Sequence, residues 1–214
     1  VKYMTSLFQE CSSLISVDLS TSNIKKVENM SRVFSNCGEL NEINLANIDT
    51  SNLTNMTNMF FECKKISKLD LSNFNTENVT NMFCTFSGCE NLTDLNIRGF
   101  NTQNVTNMGS MLQKCISLTE INLSGFDTKS VTNTAAMFQQ CTNLKTIYVK
   151  EYDSTNNTGW TTSAVTNSTN MFLNCNNIVG GNGTKFDTTY KDATYARIDT
   201  AETPGYLTNI NNKH

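Results

Sequence analysis

Cysteine is the side chain here with most chemistry to offer, as nucleophile, metal ligand or disulfide partner, and seven of the eight cysteines keep a fixed spacing. Cys11, Cys37, Cys63, Cys89, Cys115 and Cys141 stand 26 residues apart, and Cys175 follows 34 residues later, so one interval holds 8 extra residues. Catalysis needs a nucleophile, a base and an orienting group, or a metal. The single histidine, His214, stands at the end of the chain, outside the repeats, and the acidic residues recur with the period, as on a solvated face. A zinc-type site needs clustered ligands. Neighbouring cysteines of a stacked repeat would point the same way with Cβ atoms ~4.8 Å apart, beyond the ~3.8 Å of a disulfide. The spacing therefore predicts reduced, structural cysteines acting as small buried hydrophobes. No enzyme, cofactor or metal site is expected. Cys84 lies off the ladder and is expected to be a more exposed free thiol.

The elements that position these cysteines repeat with them. Three residues after each comes an apolar column (Leu14, Leu40, Ile66, Leu92, Leu118, Leu144, Ile178), followed by Val17, Ile43, Leu69, Leu95, Ile121, Ile147 and by Leu19, Leu45, Leu71, Ile97, Leu123, Val149. The last two columns have the two-residue spacing of a short strand with one buried face. Further columns are Ile48, Phe74, Phe100, Phe126; Thr50, Thr76, Thr102, Thr128; and Val27, Leu53, Val79, Val105, Val131, Val165. The stretch before each cysteine, such as Asn107 to Cys115, has helix-like apolar spacing. A period of this length marks a solenoid, whose coils bury their apolar columns by stacking. An Asn column (Asn29, Asn55, Asn81, Asn107, Asn133, Asn167) is expected to point inward as a ladder bonding turn peptides and its neighbours. The other account of it is a plain turn preference.

Composition narrows the function. Net charge is −3 with no basic stripe, which argues against nucleic acid. No apolar run approaches the roughly 18 residues of a membrane span. Val1 to Met4 aligns with Val79 to Met82, so the chain starts inside a repeat and is expected to derive from a longer protein. After Cys175 the period fails. Residues 1–178 are expected to form about seven coils with an insertion near 151–160, and 179–214 a capping segment and tail in which Tyr190 to Ile198 is extended.

The columns Cys, Leu, Leu/Ile, Leu, then Phe, Thr, Val-Thr-Asn-Met and Met-Phe resemble the BspA-like leucine-rich repeat surface proteins, and within them the 26-residue bacterial surface repeat. The stretch from Gly180-Gly181-Asn182-Gly183-Thr184 through Tyr195-Ala196-Arg197-Ile198-Asp199 to Pro204-Gly205-Tyr206 is similar to the end segment of many members. The resemblance implies a cell-surface or secreted protein that adheres to host or microbial ligands, with no catalytic residues. With the repeat register, it gives an expected α/β repeat: a right-handed leucine-rich-repeat-like solenoid with one parallel β-sheet and short helices or 3₁₀ turns on the opposite side.

Two places are expected to bind a protein or glycan ligand. One is the outward strand face, where Asp70, Asp94, Asn96, Glu120 and Asn122 form a polar strip running to Tyr148. A soluble sheet face must be polar in any case. The other is the insertion, with Tyr152 and the one tryptophan, Trp160, as aromatic anchors, unless that loop folds its Trp back onto the solenoid. The rival function is a stalk or spacer with no ligand of its own.

Overall fold

The computed structural model describes residues 2–22 and 24–213. Statements about Val1 and about His214 fall outside them. The chain is a β-solenoid of parallel strands with almost no helix. Strands β1 (Ser16–Asp18), β2 (Glu42–Asn44), β3 (Lys68–Asp70), β4 (Asp94–Asn96), β5 (Glu120–Asn122) and β6 (Thr146–Val149) follow the 26-residue period, and β7 (Leu207–Asn209) adds to β6 from the C-terminal segment. The expected alternation holds in them: the central residue points inward and its neighbours outward, as in Lys68, Leu69 and Asp70.

The single sheet expected from the sequence is replaced by three. β1 pairs with β2, β3 with β4, and β5 with β6 and β7, each in parallel. Between β2 and β3, and again between β4 and β5, the coils stay in register but the strand backbones do not bond. On one side of these gaps the inner side chains Ile43 and Leu95 are half-buried, whereas Leu69 and Ile121 across them are buried.

The short helices are also corrected. The stretch before each cysteine is a ribbon of turns. From Met82 to Cys89, the N–H groups of Met82, Cys84, Phe86 and Gly88 donate to carbonyls of the next coil at 2.8–3.0 Å, while those of Thr85, Ser87 and Cys89 close i→i−3 turns. Every second peptide thus bonds along the solenoid, which an α-helix forbids. Two columns take positive φ to make this possible: Ser6, Arg32, Asn58, Cys84, Ser110, Ala136 and Asn170, and then Glu10, Asn36, Glu62, Gly88, Lys114, Gln140 and Asn174. Each is the third residue of its turn, where a type II turn requires φ above zero.

The core is built of ladders. Phe8, Phe34, Phe60 and Phe86 stack with centroids 5.4–5.9 Å apart. Phe138 and Phe172 continue the column, which ends edge-on against Tyr206. The ladder cysteines are free thiols, and those from Cys37 onward are buried while Cys11, in the first coil, is exposed. Each buried one also has a partner that the sequence did not suggest: Cys89 Sγ donates to Phe60 O at 3.2 Å and Cys141 Sγ to Leu112 O at 2.9 Å. Cys84 is not the exposed thiol expected. It is 7 % exposed, between coils, and burial pushes its pKa up to about 11. The Thr column is buried, and Thr76 Oγ1 donates to Asn101 O while accepting from Asn101 N.

The Asn column does not point into the core. Asn29 to Asn133 are half-buried and Asn167 is exposed. Each side chain caps its own turn, as Asn81 Oδ1 accepts from Phe83 N at 2.9 Å; one amide pair spans two coils, Asn133 Nδ2 to Asn107 Oδ1. Two more columns do the same, at Asp18, Asn44, Asp70, Asn96 and Asn122 and at Asp49, Asn75, Asn101 and Asp127. These turns accept peptide N–H groups that no ladder reaches, which accounts for the weight of Asn, Asp, Ser and Thr in a thin slab.

Past β6 the insertion makes a small hairpin with Asp153 opposite Thr158. Beyond Cys175 the chain closes the stack. Tyr190 to Ile198 is not extended throughout: Ala193–Tyr195 forms a 3₁₀ turn. The buried carboxylate of Asp199 gathers Asn182 N, Thr184 N, Thr184 Oγ1 and Gly205 N. Gly180 and Gly205 let these strands of chain meet, since a Cβ on Gly180 would lie 2.1 Å from Gly205 O and one on Gly205 2.2 Å from Arg197 O. At the other end the first coil leaves its columns open, with Leu7 55 % exposed where Val33 of the next coil is buried.

Candidate functional site: the strand face

The strand face gathers Asp18, Glu42, Asp70, Asp94 and Glu120 as acids against Lys68 as the single base on the same strands. Where β4 and β5 fail to pair, the face opens into a shallow cleft of about 420 Å³. Its walls carry five of the candidate residues, Asp70, Asp94, Asn96, Glu120 and Asn122, with Lys68, Leu95 and Arg98. The cleft therefore presents carboxylates, amides and two cations beside a half-buried leucine. Sequence reasoning missed Arg98, whose place depends on the turn after β4 rather than on strand alternation.

Three of these residues also hold the fold. Asp70 Oδ1 accepts from Ser72 N at 2.9 Å and from Asn96 Nδ2 at 3.1 Å. Hydrogen bonds from Ser72 first, then from Asn96, hold the Asp70 carboxyl below its usual range. Asn96 and Asn122 cap the turns that follow them. Asp94 and Glu120 cap no turn; Glu120 is instead paired with Lys213 of the C-terminal segment.

The aromatic candidates separate. Tyr148 lies on the strip, opposite Asn122 on the paired strand, and the Lys213 ammonium lies 4.4 Å from its ring centroid and 3.0 Å from Glu120 Oε1. Tyr152 sits elsewhere, at a second cleft beside Glu151, Arg197, Thr200 and Thr203, with its hydroxyl on Asn157 Oδ1. Trp160 is not an exposed anchor. It is 7 % exposed and donates its Nε1 proton to Ala196 O at 2.8 Å, tying the insertion to the C-terminal segment. Packing an indole over the solenoid edge removes a large apolar surface from water, which a solvent-exposed loop cannot offer. Lys213 carries no signal in sequence, because it lies 93 residues from Glu120.

Among the described residues, no helix is long and apolar enough to cross a membrane.

Comparison with known proteins adds the lineage. The model of a family described as "Mycoplasma protein of unknown function, DUF285" matches residues 2–95 and 85–203; it is a BspA-like repeat family. No curated protein matches the sequence. Among solved structures, a leucine-rich repeat protein of T. pallidum is similar with 21 % identity and a TM-score of 0.48, covering 69 % of this chain and 62 % of that one. A leucine-rich cell surface protein of Faecalibacterium prausnitzii A2-165 has 15 % identity and a TM-score of 0.30, covering 79 % of this chain and 60 % of that one. A leucine-rich repeat protein of Bacteroides ovatus has 14 % identity and a TM-score of 0.28, covering 84 % and 58 %. The chain thus spans less than two thirds of each of these structures.

Proposed function

We propose that this chain, which belongs to the DUF285 family of BspA-like repeats, is a binding module without catalytic chemistry, displayed at a cell surface or secreted, that adheres to a protein or glycan ligand of a host or microbial surface. The strand face is its contact surface. The observation that carries this reading is the cleft at the β4–β5 gap, where Asp94 and Glu120 stand with no part in capping the turns. A polar strip of this kind sets the register and rate of association more than its strength, so many shallow contacts along the solenoid would act together.

A stalk or spacer is the second reading. It is favoured by Asp70, Asn96 and Asn122, whose turn-capping bonds explain a polar column without any ligand. The two readings separate on the variant Asp94→Ala with Glu120→Ala, which leaves those caps intact. The adhesin reading expects a folded protein with several-fold weaker attachment to immobilised extracellular matrix. Attachment equal to the parent's would move the contact surface off this strip, and no attachment by the parent would favour the spacer. Trp160→Ala does not serve this purpose, because a buried indole is removed along with the fold it holds.

A further inference from the structure

The C-terminal tail does something on the strand face that capping the solenoid does not require. β7 leaves the sheet at Asn209, and Ile210–Asn212 forms a 3₁₀ turn. From the end of that turn the Lys213 side chain reaches Tyr148 on β6 and Glu120 on β5, although β7 borders only β6. Its ammonium meets a carboxylate, Glu120 Oε1 at 3.0 Å, and an aromatic face, Tyr148 at 4.4 Å from the centroid. Glu120 and Tyr148 stand on adjacent, paired strands, β5 and β6. A carboxylate and a ring face set together favour a cationic side chain over neutral or anionic groups, and the cation that fits here is a lysine ammonium, that of Lys213.

The surroundings extend the match. From Glu120 toward β3 the same row of the face holds Asp94 and then Lys68, while Asp70 stands in the neighbouring row opposite Asn96, its carboxyl held below the usual range by hydrogen bonds from Ser72 and Asn96. An extended segment laid along the cleft would find a carboxylate on each successive coil. The lysine seat lies at the β5–β6 end of this acidic patch, and the tail fills it from within the chain.

We propose that Glu120 and Tyr148 form a recognition point for a lysine side chain of an extended basic peptide segment, and that Lys213 of the chain's own tail occupies this point until such a partner displaces it. This rests on the strand face being the contact surface, and it names the chemistry of the partner there. An intramolecular occupant competes at an effective concentration set by its short tether, so the tail weakens every lysine-bearing partner by a constant factor.

The test uses a fluorescent peptide of alternating lysine and serine, with a glutamate-for-lysine version as control, and reads affinity by anisotropy at low and at physiological salt. Lys213→Gln frees the seat and should tighten binding about threefold or more. On that background Glu120→Gln should weaken it by up to about fivefold, and Tyr148→Leu by about two- to fivefold. The salt dependence should fall with Glu120→Gln. The proposal is overturned if Lys213→Gln leaves affinity unchanged while lowering thermal stability, since the contact is then only a staple for the tail. It is overturned equally if the lysine and glutamate peptides bind alike, or if no variant binds the peptide. Should the peptide fail while Asp94→Ala with Glu120→Ala still reduces matrix attachment, the basic partner is wrong and the strand face stands, with a glycan then the ligand to pursue.

Discussion

Substituting glycine at Ala136 separates the turn ribbon from the helix that the apolar spacing suggests, because the two predict opposite signs. Ala136 has φ of 54°. An L-residue in that left-handed region costs roughly 1–2 kcal/mol relative to a conformation it prefers, a cost that glycine escapes. Against this, glycine gives up about 0.5–1 kcal/mol of unfolded-state entropy, and losing a half-buried methyl costs a few tenths more. The balance for Ala136→Gly is about 0 to 1 kcal/mol of stabilisation. A helix interior would instead lose about 1 kcal/mol. Ala135, next to it and without a positive φ, is the control, and Ala135→Gly should destabilise by about 0.5–1 kcal/mol. Gln140, with φ of 63° in the second column, should behave as Ala136 does when changed to glycine. Urea unfolding gives each difference from the midpoint at constant slope. At this chain length 1 kcal/mol moves the thermal midpoint by about 2–4 °C. If Ala136→Gly and Ala135→Gly lose stability equally, the left-handed columns are not what shapes the ribbon.

Two further outcomes are expected. A thiol reagent on the native protein should modify Cys11 rapidly and leave Cys84 and the six buried ladder cysteines untouched until unfolding; fast reaction of a second thiol would contradict the burial of Cys84. The Asp199 carboxyl is held below its usual range although burial pushes it up, because hydrogen bonds from Thr184, Asn182 and Gly205 outweigh that burial. A lowered folded pKa means that its stabilisation is complete above the unfolded-state value near 3.9 and is lost as pH falls through the folded value. Asp199→Asn should therefore cost about 2 kcal/mol at neutral pH, where charge-assisted bonds are lost, and should flatten the acid limb of the stability curve; an unchanged limb would show that the clamp does not matter.

The sequence by itself determined the solenoid, the period, the inward strand positions and the reduced state of the ladder cysteines. These follow from identical columns recurring at 26 residues, since a face that no coil can bury alone leaves stacking as its one solution. It also placed five residues of the candidate site on one face. The tertiary structure decided the rest. The apolar spacing before each cysteine fits a helix and a turn ribbon equally. The choice rests on hydrogen bonds such as Phe86 N to Met111 O, made between coils, with Arg32, Cys84 and Ala136 accepting positive φ where only glycine or asparagine would have signalled it. The sequence left Trp160 open between a surface anchor and an indole folded back onto the solenoid, because its burial depends on Ala196, which the chain reaches 36 residues later. The gap between β4 and β5 leaves no mark on a sequence that keeps its period through both strands. The seat for Lys213 joins residues from β5, β6 and the tail, and contacts made across that separation follow from how the last coil is closed, which local pattern does not encode.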